Sequence, residues 1–256
     1  MMHQQSIWKL HGFYGDPSEV LVIDANPFRR QDIYFGHSNA RGVAVSVVLG
    51  TNGHPIALPL QRGVTGTQLY KHSIDQPPET SNARPLEQLL DQYGNQPIMI
   101  DVAGTSPRLI DAVITLIDNQ DCINRVCCGS RFDAVGEALA LRLPQALHFM
   151  PRATRARLTL SLMLDSTLPD VSPFCVINLP MMFEGLKMVS PKLIERMNRM
   201  GIRLNVISNN DLEEQVSVTR MSVDALIVNL PPSPAATSDV AYNLKNRFAS
   251  QSRGHQ

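Results

Sequence analysis

The sequence predicts an α/β protein in which eight parallel strands, each followed by a helix, form one closed (β/α)8 TIM barrel. Three observations support this prediction. The chain has 256 residues, a length typical of one barrel of this kind. Eight short apolar runs alternate with helical segments, and several runs are apolar at nearly every position, as strands buried on both faces are. Hydrophobic residues make up 43% of the chain and charged residues 18%, so a large core can be buried.

The eight apolar runs predict the barrel strands. They cover residues 20–24, 42–49, 97–103, 125–130, 147–150, 174–179, 203–208 and 225–230. Strands that alternate with helices indicate parallel pairing with right-handed crossovers. An open sheet of the dinucleotide-binding type is the alternative. It requires a glycine-rich turn after its first strand, and the residues that follow the first run (DANP) include no glycine.

Local signals mark the helices between the runs. Ser190, followed by proline, predicts a helix N-cap, and Gly201 predicts the end of that helix. Ser106 opens a second helix in the same way, and Asn26 a third. A further helix is predicted over residues 84–93, which end at a glycine.

The chain is predicted to be a single domain over residues 1–256, with one long insertion. Residues 50–83 separate the second strand from its helix and contain Asn52-Gly53, a hairpin signal, with a returning strand over residues 55–60. Residues 235–256 are expected to form a last helix and a frayed polar tail. Long loops at the carboxyl end of a barrel are where functional sites lie.

Charge and composition exclude several functions. The 23 basic and 23 acidic residues give a formal net charge of zero, so no strong field steers the chain onto nucleic acid or an anionic membrane as its main partner. The first residues (MMHQQSIWKLHGF) lack the pattern of a signal peptide, and no apolar run reaches the ~20 residues of a membrane span. The four cysteines show no zinc-site spacing and are expected to be free thiols. We therefore expect a cytoplasmic protein; the sequence gives no indication of its oligomeric state.

Three stretches carry a resemblance to a known family. Residues 40–58 (ARGVAVSVVLGTNGHPIAL) follow the pattern of a G-[VI]-E-x-D-V strand, a T-x-D-G turn and a second short strand. In residues 126–144, the segment SRFDAVGEALALRLP resembles an S-F-[DN] strand end followed by a helix. Residues 191–231 resemble G-[LI]-x-V-x-x-W-T-V-N-[DE] followed by G-V-D-G-I-[IV]-T-D-x-P. In this order the stretches resemble the glycerophosphodiester phosphodiesterases.

The resemblance implies a TIM barrel that acts on glycerophosphodiesters in lipid and glycerol metabolism. Members of the family hydrolyse these compounds to glycerol 3-phosphate and an alcohol. Carboxylates hold a divalent metal, Ca²⁺ or Mg²⁺, and two histidines act as general acid and base. These chemical roles fit a hard cation with oxygen ligands and a side chain that titrates near neutral pH.

The metal-binding positions of the family are mostly replaced. The E-x-D pair falls on Ala44 and Ser46, and neither side chain is an anionic ligand. The carboxylate of the third-strand E-I-K motif matches Asp101, whose following lysine position holds Ala103. Asp101 is therefore the one candidate for both a catalytic and a metal-binding residue. A single carboxylate is a poor site for Ca²⁺ or Mg²⁺, so the chain is expected to hold no metal unless it is active.

The catalytic histidines are also in doubt because the opening A-H-R-G motif has two alignments. If residues 20–24 are the first strand, the motif falls on Asp24, with no histidine. If residues 7–10 are the first strand, His11 is the candidate catalytic histidine, but no arginine follows it. In the last two motifs the tryptophan becomes Ile207 and the aspartate becomes Asn229.

Several polar residues close strands on the predicted site face. Arginines and amides in such positions can bind a phosphate. The candidate ligand-binding residues are Asp24, Arg131, Arg152, Asn178, Asn210 and Asn229. The cluster of Met181, Met182 and Phe183 is expected to pack under a loop, with the lining of an apolar pocket as the alternative.

Three hypotheses follow. The first is a pseudoenzyme that binds a small phosphorylated ligand or a protein partner. The second is an active metal-dependent phosphodiesterase with an altered site built from Asp24, Asp101 and His11. The third is a structural barrel that uses only its outer surface.

Overall fold

The computed structural model describes residues 13–14, 20–29, 42–60, 83–183, 185–208 and 212–228. Its strands, in chain order, are β1 (Leu21–Asp24), β2 (Gly42–Leu49), β3 (Pro55–Pro59), β4 (Arg84–Pro85), β5 (Ile98–Val102), β6 (Val126–Gly129), β7 (Leu147–His148), β8 (Val176–Pro180), β9 (Met182–Phe183), β10 (Leu186–Lys187), β11 (Arg203–Ile207) and β12 (Ala225–Val228). Its α-helices are α1 (Leu86–Gln92), α2 (Pro107–Asn119), α3 (Asp133–Arg142), α4 (Arg152–Met163), α5 (Pro191–Arg199) and α6 (Leu212–Thr219).

Eight of the strands form a ring of parallel pairs. The order around the ring is β7-β6-β5-β2-β1-β12-β11-β8. Between β7 and β8 the ring is closed by a parallel bridge from Phe149 to Val176 and by two further backbone hydrogen bonds. The N–H of Met150 donates to the carbonyl of Val176 at 2.8 Å, and the N–H of Cys175 to that of His148 at 3.1 Å. The predicted (β/α)8 barrel is confirmed, with all eight predicted strands.

The alternation of side chains between two covered faces explains why the strands are apolar throughout. In β2, Ala44 faces the barrel interior, whereas Val43, Val45 and Val47 pack against the helix layer. The interior holds a cluster of buried apolar residues to which almost every barrel strand contributes. This cluster contains Phe13, Leu21, Ile23, Ala25, Ala44, Met99, Cys127, Leu147, Phe149, Val176, Ala225 and Ile227. Because both faces are dry, the sequence of each strand shows little polar alternation.

The helix signals in the sequence correspond to real helix ends. The hydroxyl oxygen of Ser190 accepts a hydrogen bond from the N–H of Leu193, and α5 begins at the following proline. After α5, Gly201 adopts a φ of +68°, a conformation that costs glycine little. Ser106 precedes α2 without capping it by its side chain. At Asn26, the described residues contain only the 3-10 turn Pro27–Arg29.

The connection after β2 is a hairpin, as predicted. β3 pairs antiparallel with β2, and Gly53 in the turn has a φ of +80°. β4 extends this hairpin by pairing with β3. The predicted helix over residues 84–93 is therefore too long at its start, because Arg84 and Pro85 are held in the sheet. The rest of the insertion, residues 61–82, and the predicted C-terminal helix and tail lie outside the described residues.

The barrel has its first strand at β1, which pairs with β12 on one side and β2 on the other. The alternative first strand at residues 7–10 is not needed to complete the ring. Phe13 is fully buried in the interior cluster, and the hydroxyl of Tyr14 donates to Asn205 Oδ1 at 2.9 Å. Among the described helices, none has the length and apolar character needed to cross a bilayer.

Candidate functional site

Asp101 lies at the centre of the polar residues at the carboxyl end of the barrel. Asp101 lies two residues after Met99 in β5, so its side chain points to the same side of the sheet, the barrel interior, and it is buried. The hydroxyl of Ser46, its lateral partner in β2, donates to Asp101 Oδ2 at 3.3 Å. Arg131 Nη2 donates to the same oxygen at 3.3 Å. The predicted Asp101 is thus held by a hydroxyl and a guanidinium.

Arg131 is positioned by the residue before it. The hydroxyl of Ser130 donates to the carbonyl of Val102 at 2.6 Å and accepts from the N–H of Phe132 at 3.2 Å. These two bonds tie the segment after β6 to the end of β5, where Asp101 lies. The carbonyl of Arg131 accepts from the N–H of Arg152 at 3.2 Å. The predicted residues Arg131 and Arg152 are therefore brought together at the same rim.

Arg155 completes a cluster of three arginines and was not predicted from the sequence. It lies one turn after Arg152 in α4, and its Nη1 donates to the carbonyl of Asn178 in β8 at 3.2 Å. The signal was present in the sequence as R-A-T-R. Residues three apart lie on the same side of a helix. Arg155, three positions after Arg152, therefore lies on the same side of α4. We call Arg131, Arg152 and Arg155 the arginine cluster.

Burial dominates the electrostatics of this site. Desolvation raises the pKa of Asp101, and Arg131, Ser46 and the charge of Arg155 offset part of this effect. The pKa of Arg155 is lowered, first by burial and then by the positive charge of Arg152, while Asp101 acts in the opposite direction. The guanidinium groups of Arg131 and Arg155 act on the Asp101 carboxylate, and Arg152 adds a third positive charge beside Arg155. The site therefore has an excess of positive charge that a ligand anion would neutralise.

The side chain of Asn178 takes part in a chain of hydrogen bonds inside the barrel. Tyr14 donates to Asn205 Oδ1, and Asn205 Nδ2 donates to Asn178 Oδ1 at 2.9 Å. Asn178 Nδ2 is 3.7 Å from the sulfur of Met99. The predicted ligand-binding residue Asn178 thus holds Arg155 through its backbone carbonyl, while its side-chain amide lies among interior side chains.

Asp24 does not join Asp101. Its lateral partners in the sheet are Val43 and Val228, both of which pack in the helix-facing clusters. Residues paired side by side in a sheet face the same way, so Asp24 points toward the helix layer. One of its described contacts is internal, since Oδ1 accepts from the N–H of Asn26 at 3.0 Å. The structure places these two carboxylates on opposite faces of the barrel wall.

The donor set does not fit a divalent metal. Ala44 and Ser46 are buried in β2 where the family pattern has its glutamate and aspartate. Among the residues that the structure describes, no three histidine, cysteine, aspartate or glutamate side chains form a group that could hold a metal ion. Ca²⁺ takes six to eight oxygen ligands, several of them charged, and Asp101 alone supplies too few.

Three predicted site residues, His11, Asn210 and Asn229, lie outside the described residues. His148, in contrast, is described and buried. Its Nε2 is 2.8 Å from the carbonyl of Leu143, which can only accept, and its Nδ1 is 3.5 Å from Cys128 Sγ. Burial raises the pKa of Cys128 to about 12, so the thiol stays protonated and donates a hydrogen bond to Nδ1 of the neutral imidazole ring. His148 is therefore a core residue.

The fold has well-matched counterparts among solved structures. The glycerophosphoryl diester phosphodiesterase domain of an uncharacterized Mycobacterium tuberculosis protein is 11% identical, with a TM-score of 0.62 over 88% of this chain and 99% of that one. A glycerophosphodiester phosphodiesterase from Agrobacterium tumefaciens is 13% identical, with a TM-score of 0.60 over 88% and 100%. The chain has the glycerophosphodiester phosphodiesterase fold.

A third structure of this fold holds a ligand. It is an Oleispira antarctica phosphodiesterase in complex with the product sn-glycerol-3-phosphate, 13% identical, with a TM-score of 0.54 over 91% of this chain and 99% of that one. No protein-family model matches the sequence, and no curated protein is significantly similar to it. On this glycerophosphodiester phosphodiesterase fold, the arginine cluster lies at the carboxyl ends of the strands, the face on which barrel enzymes carry their sites.

Proposed function

We propose that this chain is a pseudoenzyme of the glycerophosphodiester phosphodiesterase type, which binds a small phosphorylated ligand at the arginine cluster without metal-dependent hydrolysis. One observation carries the proposal. The carboxylate that remains from the family's metal set, Asp101, is engaged by the guanidinium of Arg131. The two other carboxylate positions hold Ala44 and Ser46.

The chemistry of the cluster favours a phosphate. Guanidinium groups present several N–H donors in a plane and bind phosphate oxygens in pairs. Arg155 is held by a carbonyl of β8, and its pKa is lowered first by burial and then by the positive charge of Arg152. An anion would supply the missing negative charge. A phosphate monoester fits better than a monoanion because the cluster has two positive charges in excess of Asp101.

The loss of hydrolysis follows from what is missing. Hydrolysis of a phosphodiester at a useful rate requires a charge-stabilising group and a group that activates the nucleophile. The cluster can stabilise charge. Asp101 is the described acidic group that could accept a proton, but its hydrogen-bond donors hold it in place and no described histidine faces it. Binding is therefore retained without an efficient route to cleavage.

Cellular context is a further part of the proposal. All four cysteines are free, and free thiols are typical of a reducing compartment. We place the protein in the cytoplasm, in the metabolism of glycerol phosphates derived from lipids, with no resident metal or cofactor.

Calorimetric titration with sn-glycerol 3-phosphate and with inorganic phosphate tests binding. Arg155→Gln is expected to weaken binding at least tenfold, because a hydrogen bond to a charged group contributes about 1.5–3 kcal/mol. Arg157→Gln is the matched control, since Arg157 is exposed on the same helix. Absence of binding by the natural chain, or equal losses in the two variants, would overturn the proposal.

The test of hydrolysis uses glycerophosphocholine with Ca²⁺, with Mg²⁺ and with EDTA. The expected result is no metal-dependent turnover above that of Asp101→Ala. Turnover that requires a metal and disappears in Asp101→Ala would support the altered-site phosphodiesterase instead.

A further inference from the structure

A small hairpin projects from the barrel directly after β8. Within the described part of the chain, β9 and β10 pair only with each other, in a sheet separate from the ring. Met182, Phe183 and Leu186 are 42%, 40% and 59% exposed. The prediction that Met182 and Phe183 pack under a loop is therefore wrong, although Met181 before them is buried.

Apolar side chains lie on both faces of this hairpin. Phe183 pairs with Leu186 and Met182 pairs with Lys187, and paired residues share a face of a two-stranded ribbon. One face thus carries Phe183 and Leu186, and the other carries Met182. Isolated two-stranded ribbons are marginally stable in water, so a ribbon that exposes three large apolar groups gains from an apolar environment.

The hairpin shares its rim with the arginine cluster. It follows the carboxyl end of β8, and Arg155 in the first turn of α4 donates to the β8 residue Asn178. Arg152, at the start of α4, and Lys187, at the end of β10, are both exposed. Apolar side chains and the cationic Arg152 and Lys187 thus occur together at the face of the barrel that holds the site, and the hairpin segment also carries one acidic residue, Glu184.

We propose that this hairpin inserts into the surface of a phospholipid bilayer and holds the carboxyl end of the barrel against the headgroups. Side chains of this kind enter the boundary between headgroups and acyl chains, and neighbouring basic residues contact phosphates above it. Lipid surrounds an inserted hairpin, whereas a protein groove covers one face. Three side chains are also too few for the ~1,200 Å² of a stable protein interface.

Three of the four other exposed large apolar side chains among the described residues provide a matched control. Leu141, Leu160 and Leu164 are 81%, 58% and 67% exposed and lie at the carboxyl ends of α3 and α4. Helices in a (β/α)8 barrel run opposite to its strands, so these leucines lie toward the amino-terminal face, away from the hairpin. Nonspecific adsorption through apolar groups would depend on them at least as much as on the hairpin.

Flotation with vesicles of phosphatidylcholine, alone or mixed with phosphatidylglycerol, tests the proposal. Replacing Met182, Phe183 and Leu186 together by serine is expected to weaken vesicle partitioning at least a hundredfold, because each buried side chain of this size contributes about tenfold. The triple serine variant at Leu141, Leu160 and Leu164 is expected to float like the natural chain. A thermal melt of each variant establishes that it is folded.

Three results would overturn the proposal: no flotation of the natural chain, flotation of the hairpin variant, or an equal loss in the control variant. Capture of a protein by the hairpin without flotation would also contradict it. The proposal is separable from ligand binding. The hairpin variant is expected to bind sn-glycerol 3-phosphate normally, and Arg155→Gln is expected to float normally.

Discussion

Replacing Asp101 by asparagine should tighten the binding of an anion to the arginine cluster. The Asp101 carboxylate engages the guanidinium that a bound anion would also contact, since Asp101 Oδ2 is 3.3 Å from Arg131 Nη2. Asparagine keeps the size of the side chain and can still accept a hydrogen bond from Arg131 and Ser46. The variant therefore removes one negative charge while changing the geometry little.

The magnitude follows from Coulomb's law. An anion on the far edge of the Arg131 guanidinium would lie about 6 Å from the carboxylate, where two unit charges repel by about 3 kcal/mol at an effective dielectric constant of about 20. The side chain of Arg131 is 22% exposed, so solvent reduces this repulsion. If about half remains, the effect is about 1.4 kcal/mol, or tenfold in affinity.

Calorimetric titration with sulfate measures this effect, because the charge of sulfate is constant over the pH range of interest. Burial raises the pKa of Asp101, and its protonation removes the same repulsion. The affinity of the natural chain should therefore rise as pH falls through the pKa of Asp101, whereas that of Asp101→Asn should change less. Asp111→Asn, which removes an exposed carboxylate paired with Arg142 on the helix layer, is the control. An unchanged or weaker affinity in Asp101→Asn would refute the reasoning.

Two further predictions concern stability. A Cβ at Gly129 would lie 2.8 Å from the carbonyl oxygen of Phe149, so Gly129→Ala should lower the free energy of unfolding by about 1–3 kcal/mol in a urea titration; an unchanged midpoint would mean that the wall between β6 and β7 can shift. Burial lowers the pKa of His148, so protons bind the unfolded chain more readily. The natural chain should lose stability as pH falls below about 6.5, by at most about 1.4 kcal/mol per pH unit from this group. His148→Gln, which can still donate to Leu143, should lose less over the same range, and parallel pH curves would contradict the assignment.

The fold was predictable because burial on two faces leaves a strong signal. The run at residues 42–49 is apolar except for Ser46, and seven of its eight residues are buried in β2. The helix ends were predictable where one side chain or one glycine determines them, as at Ser190 and Gly201. The bounds at Arg84 were wrong because pairing with β3 is a tertiary contact that a helical apolar pattern does not reveal.

Because both faces of each strand are buried, the sequence did not reveal which way the site residues point. Asp24 is the last residue of β1 and Asp101 the last but one of β5, and the sequence analysis placed both in one altered site. A strand that is apolar at every position does not show which of its residues face the barrel interior. Only the register, which places Asp24 beside Val43 and Asp101 beside Ser46, separates the two carboxylates. The pairing of a barrel strand with its neighbours therefore determines which of its residues face the barrel interior.

Comparison with the family pattern showed what was lost but not what replaced it. Ser46 was read as a missing ligand, yet its hydroxyl binds the carboxylate that remains. Arg155 lies in a helix that no family motif covers, and its relation to Asn178 depends on how α4 packs against β8. Replacements of this kind come from segments far apart in the chain, so residue-by-residue matching misses them.

The lost carboxylates and the arginine cluster have one electrostatic explanation. A glutamate at Ala44 and an aspartate at Ser46 would give the site three carboxylates with Asp101, equal in number to the three guanidinium groups. Ligand phosphate would then need a divalent cation to bind. With the two carboxylates absent, the guanidinium groups themselves supply the positive charge. A guanidinium stabilises an anion but does not lower the pKa of a bound water as a metal does. Under the proposed function, the exchange would keep affinity for phosphate and remove the nucleophile.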